Sequence, residues 1–271
     1  FNNCIDSRAE EGIYDGVEYV DLRRLHEPNN YTCDVMIVSR TVIPFLPEHH
    51  WGDFNYPLEK SPFTQLRDSA KYKALWMHDT FCSGDHLVEE LVVNGHIDEI
   101  FTLSDFHTTY VTNCEHGRRR NFEVLKNKMF MTRNGARKYI DEVDISQKDP
   151  NLFIYNASIT KGMVPLIERI WPKVKESIPD AKLRIIGGYY RFRDGAEPDA
   201  QEVKFHEYNS REDLKDKLDI EFTGVIPQRE IANHLAESSY MIFPGAFPET
   251  FGISSLESLL YNTPLITTRF G

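Results

Sequence analysis

The sequence predicts an α/β protein made of two Rossmann-like halves, and three observations predict it. Apolar runs without polar alternation recur along the chain, among them CDVMIVS at 33–39, ALWM at 74–77 and LRII at 183–186, as strands of a parallel sheet covered on both faces require. Stretches with helical periodicity separate these runs, so strands and helices alternate throughout. A charged, weakly patterned segment, ARKYIDEVDISQKDP at 136–150, reads as a linker and places the halves at 1–145 and 146–271. Both ends read as cut, because the sequence opens without methionine in the middle of a unit and stops at Gly271 after a strand that should feed another helix.

In chain order, GVEYVDL at 16–22 alternates like a strand, followed by the runs at 33–39 and 74–77. His78 and Asp79 follow the third run directly, at the carboxyl end where open α/β sheets place ligands. A strand at 97–103 leads to Ser104, an N-cap for the helix beginning SDFHTTYV, and Met129 to Met131 leads to an Asn134-Gly135 turn.

The second half opens with a strand from Leu152 to Tyr155. The loop NASITKGM then enters a helix that tolerates Pro165 only in its first turn and bends at Pro172. Lys161 therefore sits at a helix N-terminus, an unfavourable place for a cation unless an anion shares it. Residues 191–213 read as a solvated excursion, 219–225 as a strand and Gln228 to Glu237 as a helix.

Composition narrows the function. With 271 residues and 41% hydrophobic content the chain can bury an ample core. A formal net charge of −11 argues against nucleic acid or an anionic membrane as a general partner. The patch HGRRRN at 116–121 is the exception, either a solvated loop or a contact for an anionic acceptor or membrane surface. Cysteines at 4, 33, 82 and 114 lack metal spacing and are too sparse for a disulfide scaffold, which fits a cytoplasmic protein. No run approaches the roughly 18 apolar residues of a membrane span. No Asp-x-Asp metal site stands in a suitable loop, and no cofactor is expected.

The most informative stretch is 239–268, SSYMIFPGAFPETFGISSLESLLYNTPLITT, a strand, a loop, a helix at 253–261 and a buried strand at 265–267. Ile253, Leu256 and Leu260 share an apolar helix face with Glu257 at its margin. Glu249 stands eight residues before Glu257. Between them Phe251, Gly252, Ile253 and Ser254 bring free backbone N–H groups to the helix start, a site suited to phosphate.

PETFGISSLESLLYNTPLI resembles the E-x7-E signature of the retaining glycosyltransferases of family four, the group 1 type with the two-domain GT-B fold. The resemblance implies a nucleotide-sugar substrate, metal-independent transfer to a glycan, lipid or other hydroxyl acceptor, and peripheral membrane contact as an option. It further implies Lys161 on the donor phosphates, Glu257 on the ribose, backbone near Ile226 on the base, and Glu249 and His78 on the transferred sugar, in a cleft bordered by His78, Lys161 and Glu249. The arginine that usually precedes the lysine is missing from 155–160. A sugar-nucleotide epimerase and a non-catalytic sugar-nucleotide-binding module are the alternatives.

Overall fold

A computed structural model describes residues 12–14, 16–19, 31–47, 63–80, 82, 84–112, 122–136, 143–187, 200–245 and 247–269. The basic patch at 116–121, Cys4, Cys114, Gly188 and much of the linker lie outside them. The chain separates into two compact units, Phe1–Arg133 and Asn134–Gly271, a division that falls before the charged linker segment rather than within it.

The first unit opens with an antiparallel pair, β1 (Gly12–Tyr14) and β2 (Val17–Tyr19). Gly16, at φ 79°, makes the turn between them, so the single strand expected at 16–22 is a hairpin arm whose residues 20–22 are not described. The sheet that follows is parallel, in the order β3 (Val35–Ser39), β4 (Tyr72–Trp76), β5 (Glu99–Thr102), β6 (Met129–Met131). Helices α1 (Thr64–Ser69), α2 (Val88–Val93), α3 (Asp105–Thr112) and α4 (Phe122–Lys126) connect its strands.

Met36, Leu75 and Ile100 pack in one core with Val88, Leu91 and Val92 of α2. Val35 and Ile37, on the opposite pleat of β3, are about half exposed, so the run at 33–39 is covered on one face rather than both. Ser104 caps α3 as predicted, its Oγ accepting the His107 N–H at 2.9 Å. The left-handed residue after β6 is Arg133, at φ 62°, and not Gly135.

The second unit holds a five-stranded parallel sheet. Its strands are β7 (Asp149–Asn156), β8 (Lys182–Ile186), β9 (Ile220–Gly224), β10 (Ser238–Phe243) and β11 (Leu265–Thr267), in the order β11-β10-β7-β8-β9. Ile154, Leu183, Ile185 and Met241 carry its core together with Trp171, whose Nε1 donates to the Leu218 carbonyl at 2.7 Å.

After β7 the chain forms α5 (Met163–Pro165), a π-helical turn at Leu166–Ile170 and α6 (Trp171–Ser177). Pro165 falls in the first turn, as expected. Pro172 has no N–H for the Glu168 carbonyl, and next to it the Trp171 N–H reaches back five residues to the Leu166 carbonyl. The bend predicted at Pro172 thus takes the form of a widened turn.

Three expectations are corrected in this unit. The described part of 191–213 is helical, as α7 (Ala200–Asn209) and the start of α8 (Glu212–Leu218), with Phe205 and Tyr208 buried; the dense charges on these helices face solvent and hide the two anchors. Helix α9 (Gln228–Glu237) matches its prediction, but the buried face of α10 (Ile253–Leu260) is shifted from the one expected: Leu260 packs against the core and Leu256 is half-buried, while the inward centre falls on Glu257. Glu257 and Ser258 are its buried residues, whereas Ile253 and Leu259 are exposed. β11 is an edge strand with Ile266 46% exposed, not a buried one.

Lys148, at the end of the linker, ties this unit together. Its ammonium donates to the carbonyls of Ala236 at 3.1 Å and Ser238 at 2.7 Å and to Thr263 Oγ1 at 3.0 Å, so one cation closes the C-terminus of α9 and fixes the turn after α10. Lys148→Met leaves those carbonyls without their donor and should lower stability by about 2 kcal/mol in urea unfolding. An unchanged midpoint would show that solvent satisfies them equally well.

Candidate functional site

In the second sheet the connections from β7 run one way to β8 and β9, while β10 lies on the other side of β7. The order therefore reverses at the β7/β10 pair, and the loops leaving the carboxyl ends of those two strands stand where open α/β sheets bind ligands. These loops carry Lys161 and Glu249.

The loop after β7 runs through a 3-10 turn, Ile159–Lys161, to Gly162 at φ 116°. A Cβ on Gly162 would lie 2.4 Å from the Pro244 carbonyl oxygen, so only glycine permits the two loops to approach this closely. Across the contact the Lys161 ammonium meets Glu249 Oε2 at 2.5 Å, with the two side chains 34% and 21% exposed. The same ammonium lies 5.6 Å from the centre of the Phe247 ring, a cation–π contact the sequence reading did not include.

The loop ends at Gly252, φ 76°, which serves as the N-cap of α10 without a side-chain cap. The first-turn N–H groups after it are left for another acceptor. Phe251, Gly252 and Ser254 are half-buried and Ile253 is exposed. The structure thus brings Lys161, on the loop after β7, against Glu249, on the loop that leads from β10 into α10.

Glu257 lies one turn into α10 and is 6% exposed. The Gln228 side-chain amide donates to its carboxylate from the start of α9. Burial pushes the Glu257 carboxyl above its ordinary 4.5, and the Gln228 bond opposes that rise. Ile226, two residues before Gln228, packs partly buried against the core beside the exposed Val225.

In the first unit His78 follows β4 and lies half-buried, its ring centre 4.7 Å from that of Trp76. Burial and then the Arg40 charge lower its pKa, against the pull of Asp79, so the imidazole is neutral near pH 7. Arg40 pairs with Asp79 at 2.5 Å from a left-handed backbone at φ 67°. Fully buried His107 accepts the Leu103 N–H on Nδ1 at 3.1 Å, which leaves Nε2 to donate to the Asp79 carbonyl at 3.0 Å. The sequence reading missed Arg40 and His107; an arginine just past a strand and a histidine in a helix's first turn carry no distinguishing local pattern.

Among the described residues no three histidine, cysteine, aspartate or glutamate side chains converge as metal ligands, and no helix is long and apolar enough to cross a membrane. Cys33 is a thiol whose Sγ donates to the Leu66 carbonyl at 3.6 Å.

These features define a Rossmann-like α/β unit with a pair of opposed charges at its topological switch point. Residues 151–271, almost all of that unit, match the family described as glycosyl transferases group 1. No curated protein matches the chain. Among solved structures, the catalytic domain of starch synthase IV from Arabidopsis thaliana, bound to ADP and acarbose, is similar at a TM-score of 0.59 and 13% identity, over 89% of this chain and 57% of its own. The pneumococcal O-GlcNAc transferase GtfA in complex with UDP and GlcNAc is similar at 0.54 and 12% identity, over 74% and 38%. TarM is similar at 0.51 and 14% identity, over 87% and 41%. At such identities the likeness is one of fold, and the chain spans less than two thirds of each of these structures.

Glu257 gives the site a pH signature. Because its native pKa is raised, the folded state holds this proton more tightly than the unfolded chain does. The stability it contributes is complete below pH 4.5 and is lost as pH rises through the raised native value. Glu257→Gln should remove that loss, so the ligand-free variant should melt at or above the wild-type temperature at neutral pH and show a flatter profile above pH 4.5. A Tm that drops by several degrees at neutral pH would mean the carboxylate stabilises the ligand-free fold.

Proposed function

We propose that this protein is a glycosyltransferase that moves a sugar from a nucleotide-sugar donor to a hydroxyl acceptor, with retention at the anomeric carbon and without a metal ion. The observation that carries the reading is the Lys161–Glu249 pair at the β7/β10 switch point, beside the uncapped start of α10, within the segment that matches glycosyl transferases group 1. Similar folds that hold UDP with GlcNAc, or ADP, support a nucleoside diphosphate as the ligand class.

In the proposed complex the donor diphosphate takes the place of the Glu249 carboxylate at the Lys161 ammonium and shares the N–H groups after Gly252. Both balance the charge that grows on the leaving group as the glycosidic bond breaks. Glu249, released from the lysine, turns to the transferred sugar, where its charge opposes the positive charge developing on the ring. Glu257 accepts from the ribose hydroxyls, and backbone near Ile226 meets the base. His78, neutral, contacts the sugar. The acceptor is a glycan, a lipid or another hydroxyl compound.

Two substitutions test this reading. Lys161→Ala should weaken binding of the matching nucleoside diphosphate by about 10- to 100-fold in calorimetry, the range for a lost charge-assisted bond. Glu249→Gln should lower kcat for sugar transfer while nucleotide affinity stays near wild type. NMR of the product anomer reads out retention. Nucleotide binding without sugar transfer across a broad acceptor panel, unaltered by Glu249→Gln, would instead support a non-catalytic binding module.

A further inference from the structure

The lysine is held in place by a residue that takes no part in the site so far described. Tyr155 stands near the end of β7 with its side chain completely buried in the core of the second unit. Its hydroxyl donates to the Ser158 carbonyl at 2.8 Å. Ser158 opens the turn that contains Lys161. The Ser158 carbonyl also accepts the Lys161 N–H at 3.0 Å.

Loops that bind anions usually rest on their own backbone turns. Here a core hydroxyl holds the start of a short loop whose last member, Gly162, has no room for a side chain against Pro244. We propose that Tyr155 is a positioning residue for Lys161, its hydroxyl clamping the loop so that the ammonium stands ready for a diphosphate. The inference rests on the donor reading given above.

A phenylalanine at this position keeps the buried ring. Ser158 keeps the Lys161 N–H on its carbonyl, so no backbone acceptor is left without a donor. The loss should fall on the geometry of the loop and not on the core. A purely structural hydroxyl predicts the contrary, a loss of stability with no preference among ligands.

The test is calorimetry on the full chain with UDP, ADP and GDP, each paired with its nucleoside, together with thermal unfolding. Tyr155→Phe should weaken the diphosphate that wild type binds by about 5- to 10-fold, the range of one neutral hydrogen bond, and alter nucleoside affinity less than about 2-fold. On a Lys161→Ala background the same substitution should have no further effect, because it acts through the lysine. Ser158→Gly, which loosens the loop from its exposed side, should produce a weaker form of the same diphosphate-selective loss and serves if the phenylalanine variant does not fold. Equal losses for diphosphate and nucleoside, or additive effects with Lys161→Ala, would overturn the inference and leave the functional reading standing. A wild-type chain that binds none of the diphosphates would overturn both.

Discussion

The close approach of two backbones at Gly162 and Pro244 is the constraint on which the candidate site depends. The loops leaving β7 and β10 come from adjacent strands, yet a side chain in place of Gly162 would push them apart. With only a hydrogen in the gap, Lys161 and Glu249 face each other across it at ion-pair distance. That pair is partly screened from solvent and stabilises the ligand-free loops only modestly. Its larger consequence is positional, since it holds a cation just before a helix N-terminus.

Around this contact the sheet supplies rigidity and the helices supply charge placement. Strand order reverses at β7/β10, and the left-handed Gly252 starts α10 without spending its first N–H groups on a side chain. Lys148 fixes the far ends of α9 and α10, the helices that bring Gln228 to Glu257. A buried carboxylate held above its ordinary pKa is unfavourable for the ligand-free fold.

The first unit uses a comparable economy of polar groups. The carbonyl of Asp79 holds His107, the carboxylate of Asp79 holds Arg40, and His78 lies between them in sequence against the ring of Trp76. A neutral imidazole at the end of a parallel strand can donate or accept with one ligand hydroxyl. This ordering comes from side chains on three different strand ends, β3, β4 and β5.

Much of the architecture was legible in the sequence because its causes are local. Apolar runs of four to eight residues fall where parallel strands lie, α9 matches its predicted bounds, Ser104 caps its helix and Pro165 sits in a first turn, each following from side-chain chemistry within a few residues. Glycines at 162 and 252 and the spacing from Glu249 to Glu257 are likewise written in the chain. Only the tertiary structure decided that Glu257 rather than Ile253 faces inward, because which side of α10 is buried depends on α9, some twenty-five residues earlier. The same holds for the exposed pleat of β3, the buried Phe205 and Tyr208 beneath a charged surface, and the meeting of Lys161 with Glu249. A periodic pattern specifies that a face exists, whereas what it packs against is set by segments distant in sequence, and polar partners across such distances leave no trace in the local order of residues.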